Sequence, residues 1–346
     1  MFFSVSRAHH FMLIVIVASF VYSASATIKL PRFPLTVIHE FPSPSWIENI
    51  AIRENGDLLV TSLSSPSVFL VDRFSRQPPV LVATIPQAIG VTGMAELEND
   101  VFYVAAGNLT GLAPVQGSSA VWKVDLRSSN DEKCGYTSTA AKTELVTSIP
   151  DAIFLNGVCP LSSADNSKLL MSDSILGSIF LVDVAAKDNT IAITDPALSA
   201  NGSTTGLAAG VNGIHIFGND LFFMKLANAT FFKVPISPEN RNSTGPFEKI
   251  VDGILGDDFA LSQDGSKAWI ASNPTRELIE VDIASKTSRV IAGNRNTTDI
   301  INPTAVGLGR SAADNDFLYV VTNGGAAVPE AAGLTGGRII RVPIPA

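Results

Sequence analysis

Six copies of one short strand limit what this chain can become. Ser67–Asp72 reads Ser-Val-Phe-Leu-Val-Asp, and the pattern returns at Ala120–Asp125, Ser178–Asp183, Thr230–Pro235, Glu277–Asp282 and Arg338–Pro343. The copies lie roughly 45–65 residues apart, a period typical of supersecondary units that bury their faces only by stacking on neighbours. The first unit shows what surrounds each copy. Ile50–Arg53 alternates, Glu54-Asn55-Gly56 turns, Asp57–Ser62 runs apolar, Ser67–Asp72 follows, and Val80–Pro86 finishes. Short β-branched and aromatic runs between Gly, Pro, Asn and Asp clusters predict strands. No amphipathic helix competes after residue 26. Six units of four strands predict an all-β fold, a six-bladed β-propeller.

The strand count also predicts how the ring closes. Fourth strands are legible at Val80–Pro86, Thr143–Pro150, Thr190–Pro196, Phe247–Gly253 and Ser288–Gly293, and the sixth unit stops at its third strand near Pro345. Leu35–Pro42 carries the missing pattern at the other end. The N-terminal strand is therefore expected to complete the last blade and remove an edge open to aggregation. Residues 27–346 then form a single propeller domain.

Arg7 precedes an apolar run from Phe11 to Val21, with Ala24-Ser25-Ala26 as a small-residue cleavage site. Residues 1–26 read as a secretory signal peptide, with an N-terminal anchor as the alternative; the run is short for a membrane span, and none longer follows. Asn-x-Ser/Thr triplets at Asn108, Asn201, Asn228, Asn242 and Asn296 fit the secretory route and glycans on surface loops. The two cysteines, Cys134 and Cys159, are expected to bridge in an oxidising compartment, with a buried free Cys159 as the alternative. With a net charge of −8 and no Lys/Arg cluster, a nucleic-acid partner is not expected.

Six short motifs sit where the innermost strands begin: Ile47–Ile50, Val91–Met94, Leu155–Val158, Val211–Ile214, Gly256–Phe259 and Pro303–Val306. Their polar slots are Glu48, Thr92, Asn156, Asn212, Asp257 and Thr304. Innermost strands begin at a propeller's channel, so the slots should converge. Two carboxylates, two amides and two hydroxyls suit one hard divalent cation, Ca²⁺ or Mg²⁺, or else a hydrogen-bonded polar plug. No organic cofactor is expected. The long connections Gly107–Ser119, Ala197–Gly210, Gly293–Asn302 and Asn323–Gly337 all fall on the slot side, and long loops on a rigid scaffold usually carry binding.

With these motifs, the whole chain after residue 26 resembles the gluconolactonase and senescence-marker-protein-like propellers. The resemblance implies one divalent metal held by Glu48, Asn156 and Asp257, with Asn212 touching substrate. The chain departs from that pattern where Asn49 follows Glu48 and Asp258 follows Asp257, in place of Gly. Trp46–Arg53, with the leader and the sequons, looks more like a fungal branch of that superfamily. That branch includes the hetero-Diels–Alderases of tropolone–sesquiterpenoid pathways, which join an o-quinone methide to a terpene alkene.

Three functions follow as expectations. The first is a hetero-Diels–Alder cyclase acting on small molecules. Glu48, Asn156, Asn212 and Asp257 would be its catalytic set, and Trp46, Thr92, Phe154, Asp258, Phe259 and Thr304 its substrate contacts. Orientation of two reactants accounts for most of such a rate, and hydrogen-bond donors polarise the heterodiene oxygen. The competing reading of the aromatics is inter-blade core packing. The second function is a metal-dependent lactonase relying on the metal and on Asp257 or Asp258. His39 and His215 are the only histidines after the leader, and neither suggests a Ser-His-Asp triad. The third is a secreted, non-catalytic binding propeller, because fold alone does not choose.

Overall fold

A computed structural model describes residues 34–127, 140–162, 165–237, 242–326 and 335–345. The expected leader, residues 1–26, and Cys134, one half of the expected disulfide, lie outside the described residues, and so does the unit Met1–Arg32; the unit Phe33–Ala346 carries every strand below.

Among the described residues, six four-stranded antiparallel sheets form the blades, and five of them run from the channel outward in chain order. The innermost strands are Ile47–Ile52, Gly90–Glu98, Leu155–Ser162, Val211–Phe217, Gly256–Leu261 and Pro303–Leu308. Each contacts the next, and the sixth contacts the first, so the ring is closed. The last blade takes its outer strand from the N-terminal side, where Thr36–Glu40 pairs antiparallel with Arg338–Pro343. The expected six-bladed propeller and its closure are both present. The connection after Gly107 holds a small extra hairpin, Leu109–Thr110 with Ala113–Pro114. No helix among the described residues is long and apolar enough to cross a membrane.

The third-strand repeat has a local cause. Four of its six copies end in Asp, and each of these carboxylates accepts backbone N–H groups of the following turn. Asp72 takes Phe74 N at 3.0 Å, Asp125 takes Arg127 N at 3.1 Å, Asp183 takes Ala186 N at 2.8 Å and Asp282 takes Ser285 N at 2.8 Å. Short acidic side chains that bond their own backbone initiate turns, so the repeat carries its own stop signal.

The core is distributed. Six buried apolar clusters occupy the six blade interfaces, among them Tyr103, Phe180 and Met171 between blades two and three, and Phe231 and Phe259 between blades four and five. Each wedge is shared by two sheets, so no blade buries its faces alone. Of the five sequons, Asn201, Asn242 and Asn296 are exposed, whereas Asn108 and Asn228 are half-buried.

One carboxylate fixes two slot-side loops. Asp173 is fully buried and accepts Ile153 N at 2.6 Å, Phe154 N at 3.1 Å, Ile175 N at 3.0 Å and Leu176 N at 2.8 Å. Asp173→Ala would leave these donors unpaired and is expected to cost at least about 3 kcal/mol, read as a lower denaturation midpoint at unchanged slope.

Candidate functional site

The slots lie inside the innermost strands, near the start of each. In all six blades the pairing register shifts across the slot, between Ile47/Ile50, Val91/Met94, Leu155/Val158, Val211/Ile214, Gly256/Phe259 and Pro303/Ala305. Such a bulge re-aims a side chain and interrupts the ladder, a device common beside active sites. The residue after the slot then packs on the next blade. A Cβ at Gly93 would sit 2.0 Å from Asn156 O and one at Gly213 2.2 Å from Asp258 Oδ1, so both positions need glycine. Asn49 and Asp258 break that rule and use the space differently. Asn49 Nδ2 donates to Asp258 Oδ2 at 2.9 Å, from blade one to blade five.

All six slot residues are buried. Asp257 is the best-connected: Oδ1 accepts Asn212 Nδ2 at 2.7 Å and Oδ2 accepts Asn273 Nδ2 at 3.2 Å. Glu48 Oε2 accepts the indole N–H of half-buried Trp46. Burial pushes the Glu48 carboxyl well above its usual range, and the nearby Asp257 and Asp258 charges push it further. Burial likewise pushes Asp257 up to about 7 against the pull of the Asn273 and Asn212 hydrogen bonds. Glu48 and Asp257 thus share one poorly solvated centre beside Asp258, and loss of water there disfavours the ionised forms of the first two.

The expected site separates into parts. Glu48, Asn212, Asp257 and Asp258 belong to one hydrogen-bonded or electrostatically interacting group, with Trp46 attached to it. Asn156 is buried in its slot between those of Thr92 and Asn212. Thr92 and Thr304 have another task. Thr92 Oγ1 donates to Leu155 O at 2.8 Å and Thr304 Oγ1 to Ile47 O at 2.7 Å, tying each blade to the next. Phe259 is fully buried, edge-on to Phe231 and His215 at centroid distances of 4.9 and 4.7 Å. It presents no surface to a bound molecule, which corrects its expected place among the substrate contacts. Phe154 remains half-buried, on the slot side above Leu155. Cys159 is buried at the third position after its slot.

Sequence reasoning missed Asn49, Asn273 and the role of His215, whose Nε2 lies 3.0 Å from Asp258 Oδ1. Asn273 was findable. It directly follows a second strand, the position Ser174 and Asn323 occupy in blades three and six. Lys225 was also missed; it is buried at the slot-side end of a second strand with Nζ on Pro196 O at 3.1 Å, and desolvation lowers its pKa. Around this polar centre the slot-side connections expose Ile89, Leu112, Val115, Ile175, Leu176 and Leu207. Half of the large exposed apolar side chains among the described residues therefore rim the slot side of blades two to four.

The donors at the centre are oxygens, and the buried Oδ1 of Asn212 has no hydrogen-bond partner. That set fits a hard divalent cation. Among the described residues no three His, Cys, Asp or Glu groups stand together as ligands, so a cation would rest on two carboxylates with amide oxygens.

No family model matches the chain. Its likeness to solved structures is one of fold. The luciferin-regenerating enzyme superposes with a TM-score of 0.63 at 13% identity, covering 90% of this chain and 95% of that one. Regucalcin of Agrobacterium tumefaciens, described as a calcium-binding protein, gives 0.57 at 15%, covering 90% and 94%. Among curated proteins, one from Sarocladium schorii named "Putative hetero-Diels-Alderase asR5" is 26% identical over 317 residues, 83% of this chain and 77% of its own length. Over 326 residues, 86% of its length, the chain is also 26% identical to a Phoma sp protein named "Putative hetero-Diels-Alderase", matching 88% of that protein.

Proposed function

We propose that this propeller is a small-molecule enzyme, a hetero-Diels–Alder cyclase joining an o-quinone methide to a terpene alkene. The observation that carries the reading is the 26% identity to two proteins bearing that name, along most of the chain. The geometry supports it chemically. An apolar rim suits a terpene, and the buried acids below it suit the heterodiene. Burial raises the Glu48 carboxyl well above its usual range and so favours the protonated form, whose O–H is the group it would give, since Trp46 engages only Oε2. A neutral acid that donates to the carbonyl oxygen of the heterodiene stabilises the charge developing there, in a site where water no longer competes. Orientation of the two reactants by the rim supplies the rest.

The second reading is a lactonase, favoured by the unpartnered Asn212 Oδ1 and the oxygen-only centre. Glu48, Asn156 and Asp257 would hold the cation, with Asn212 turned to substrate. A bound divalent ion would supply Lewis-acid polarisation of a lactone carbonyl. Asp258, bonded to Asn49 and His215, is the remaining carboxylate able to accept a proton from attacking water.

The assay offers the purified protein an o-quinone methide precursor with a humulene-type alkene and, separately, aldonolactones. Cycloadduct formed faster or with altered stereochemistry is expected, with Glu48→Gln losing no more than about tenfold because the amide still donates. Lactone opening abolished by EDTA, with Glu48→Gln lowering it about 100-fold or more, would replace the cyclase by the hydrolase.

A further inference from the structure

The propeller has a second mouth, and the cyclase reading makes no use of it. On the face of the first-to-second strand turns, a cavity of about 780 Å³ opens on the channel. That volume lies inside the range of about 300–1,000 Å³ that holds small organic ligands. Its walls include Leu97, Pro160, Leu161, Ile216 and Ile236, and its polar lining includes His215 and Arg310. Three residues after their slots, Cys159 and His215 both line the cavity, Cys159 buried and His215 partly exposed.

His215 is held firmly. Its Nε2 faces Asp258 Oδ1 at 3.0 Å, and its ring stands edge-on to Phe259. Asp258 accepts everywhere else, from Phe259 N at 2.8 Å and from Asn49 Nδ2 at 2.9 Å. The carboxylate is therefore the acceptor toward His215 as well, and Nε2 carries the hydrogen. In the tautomer that donation from Nε2 selects, Nδ1 is an acceptor and the ring's remaining polar atom. The imidazole is a third exposed and lines the cavity. A built acceptor, fixed by a buried carboxylate and flanked by apolar walls, is the arrangement that orients a ligand by one specific polar contact.

The lining also selects by charge. Glu54, Glu96, Glu98 and Asp165 outnumber Arg310, which is paired with Glu96 and also donates to Ile52 O at 2.8 Å. Anions are disfavoured at such a mouth. We propose that this cavity is a second binding site, for an uncharged amphipathic molecule whose hydroxyl, phenolic or alcoholic, donates to His215 Nδ1.

The test uses the intact protein and resorcinol as probe, with benzoate as the anionic control, followed by calorimetry and by the NMR signals of the His215 ring. Resorcinol is expected to bind and shift those signals, with benzoate at least tenfold weaker. His215→Phe should lower resorcinol affinity at least tenfold, and so should Asn219→Trp, which places a bulky group on an exposed turn residue of the lining. Glu48→Gln, at the other mouth, should leave it within twofold. Failure of resorcinol to bind, binding unaffected by both cavity substitutions, or equal loss in Glu48→Gln would overturn the second site. The cycloaddition assay is a separate readout, so either proposal can fail alone.

Discussion

Removal of residues 36–41 is expected to abolish the folded propeller. The segment supplies the outer strand of the last blade, and its contribution is larger than five residues of edge strand suggest. Ile38 and Phe41 are buried, and the Phe41 ring packs at 5.1 Å from Phe69 of blade one. The same side chains sit in the cluster that joins blades six and one, with Ile47, Tyr319 and Ile339. Phe41 N donates to Gly337 O at 2.9 Å, and Arg338 Nε pairs with Glu40 at 2.9 Å. Burying an Ile or Phe side chain is worth about 1.5–3 kcal/mol each, before the ladder and the unpaired edge of Arg338–Pro343 are counted. A domain with a net stability of about 5–15 kcal/mol does not survive that loss together with an opened ring. The expected result is loss of the single cooperative melting transition and aggregation on expression. Phe41→Ala, which keeps the strand, should cost about 3–5 kcal/mol and leave the transition cooperative. A deletion variant that melts like the full chain would show that the ring is closed by something else.

That closure was readable because it depends on counting. A third strand repeated six times and a fourth repeated five times leave one gap, and Leu35–Pro42 fits it. The slots were readable for a related reason: a propeller must begin each blade at its axis, so Glu48, Asn212 and Asp257 could be aligned by position. What remained hidden lies across the ring, where pairing depends on distance in space. Nothing in the sequence joins Asn49 to Asp258, 209 positions apart, or His215 to the same carboxylate. Phe259 shows the opposite failure. Adjacent to Asp258 in sequence, it points into the interface between blades four and five, because neighbouring residues of a strand face opposite sides. Thr92 and Thr304 are polar in polar slots, and the carbonyls their hydroxyls reach, which staple blade to blade, could not be read from spacing alone.

Asp257→Asn is expected to stabilise the protein at pH 8 and to flatten the dependence of its melting on pH. The sign follows from where the protons sit. Asp257 is raised to about 7 in the folded chain and Glu48 is raised well above its ordinary value, both chiefly by burial. An unfolded chain titrates such acids near pH 4. Below that value both states are protonated and the folded state bears no penalty. As pH rises from about 4 to about 7 the unfolded state releases a proton that folded Asp257 still holds, so its contribution falls across that window and levels off above it, and Glu48 acts in the same direction. For one fully buried acid the difference is on the order of a few kcal/mol, or several degrees in melting temperature. The substitution removes the acid without removing its surroundings. The amide it introduces can accept from one neighbour and donate to the other, since Asn212 can turn to offer the Oδ1 that has no partner in the native protein. Differential scanning calorimetry of both proteins at pH 5 and pH 8 reads the effect directly. The wild type should lose stability between the two and the variant should lose much less; equal slopes would mean that Asp257 is not a buried acid in the folded state. Added Ca²⁺ separates the functional readings in the same experiment. If Glu48 and Asp257 hold a cation, millimolar Ca²⁺ should raise the wild-type melting temperature at pH 8 by several degrees and leave Asp257→Asn nearly unmoved, because binding to the folded state alone stabilises it by mass action. If the centre works as a set of neutral hydrogen-bond donors, as the cyclase reading holds, Ca²⁺ moves neither protein, and cycloaddition should decline from pH 6 to pH 9 as Asp257, raised to about 7, loses its proton and places a charge beside Glu48.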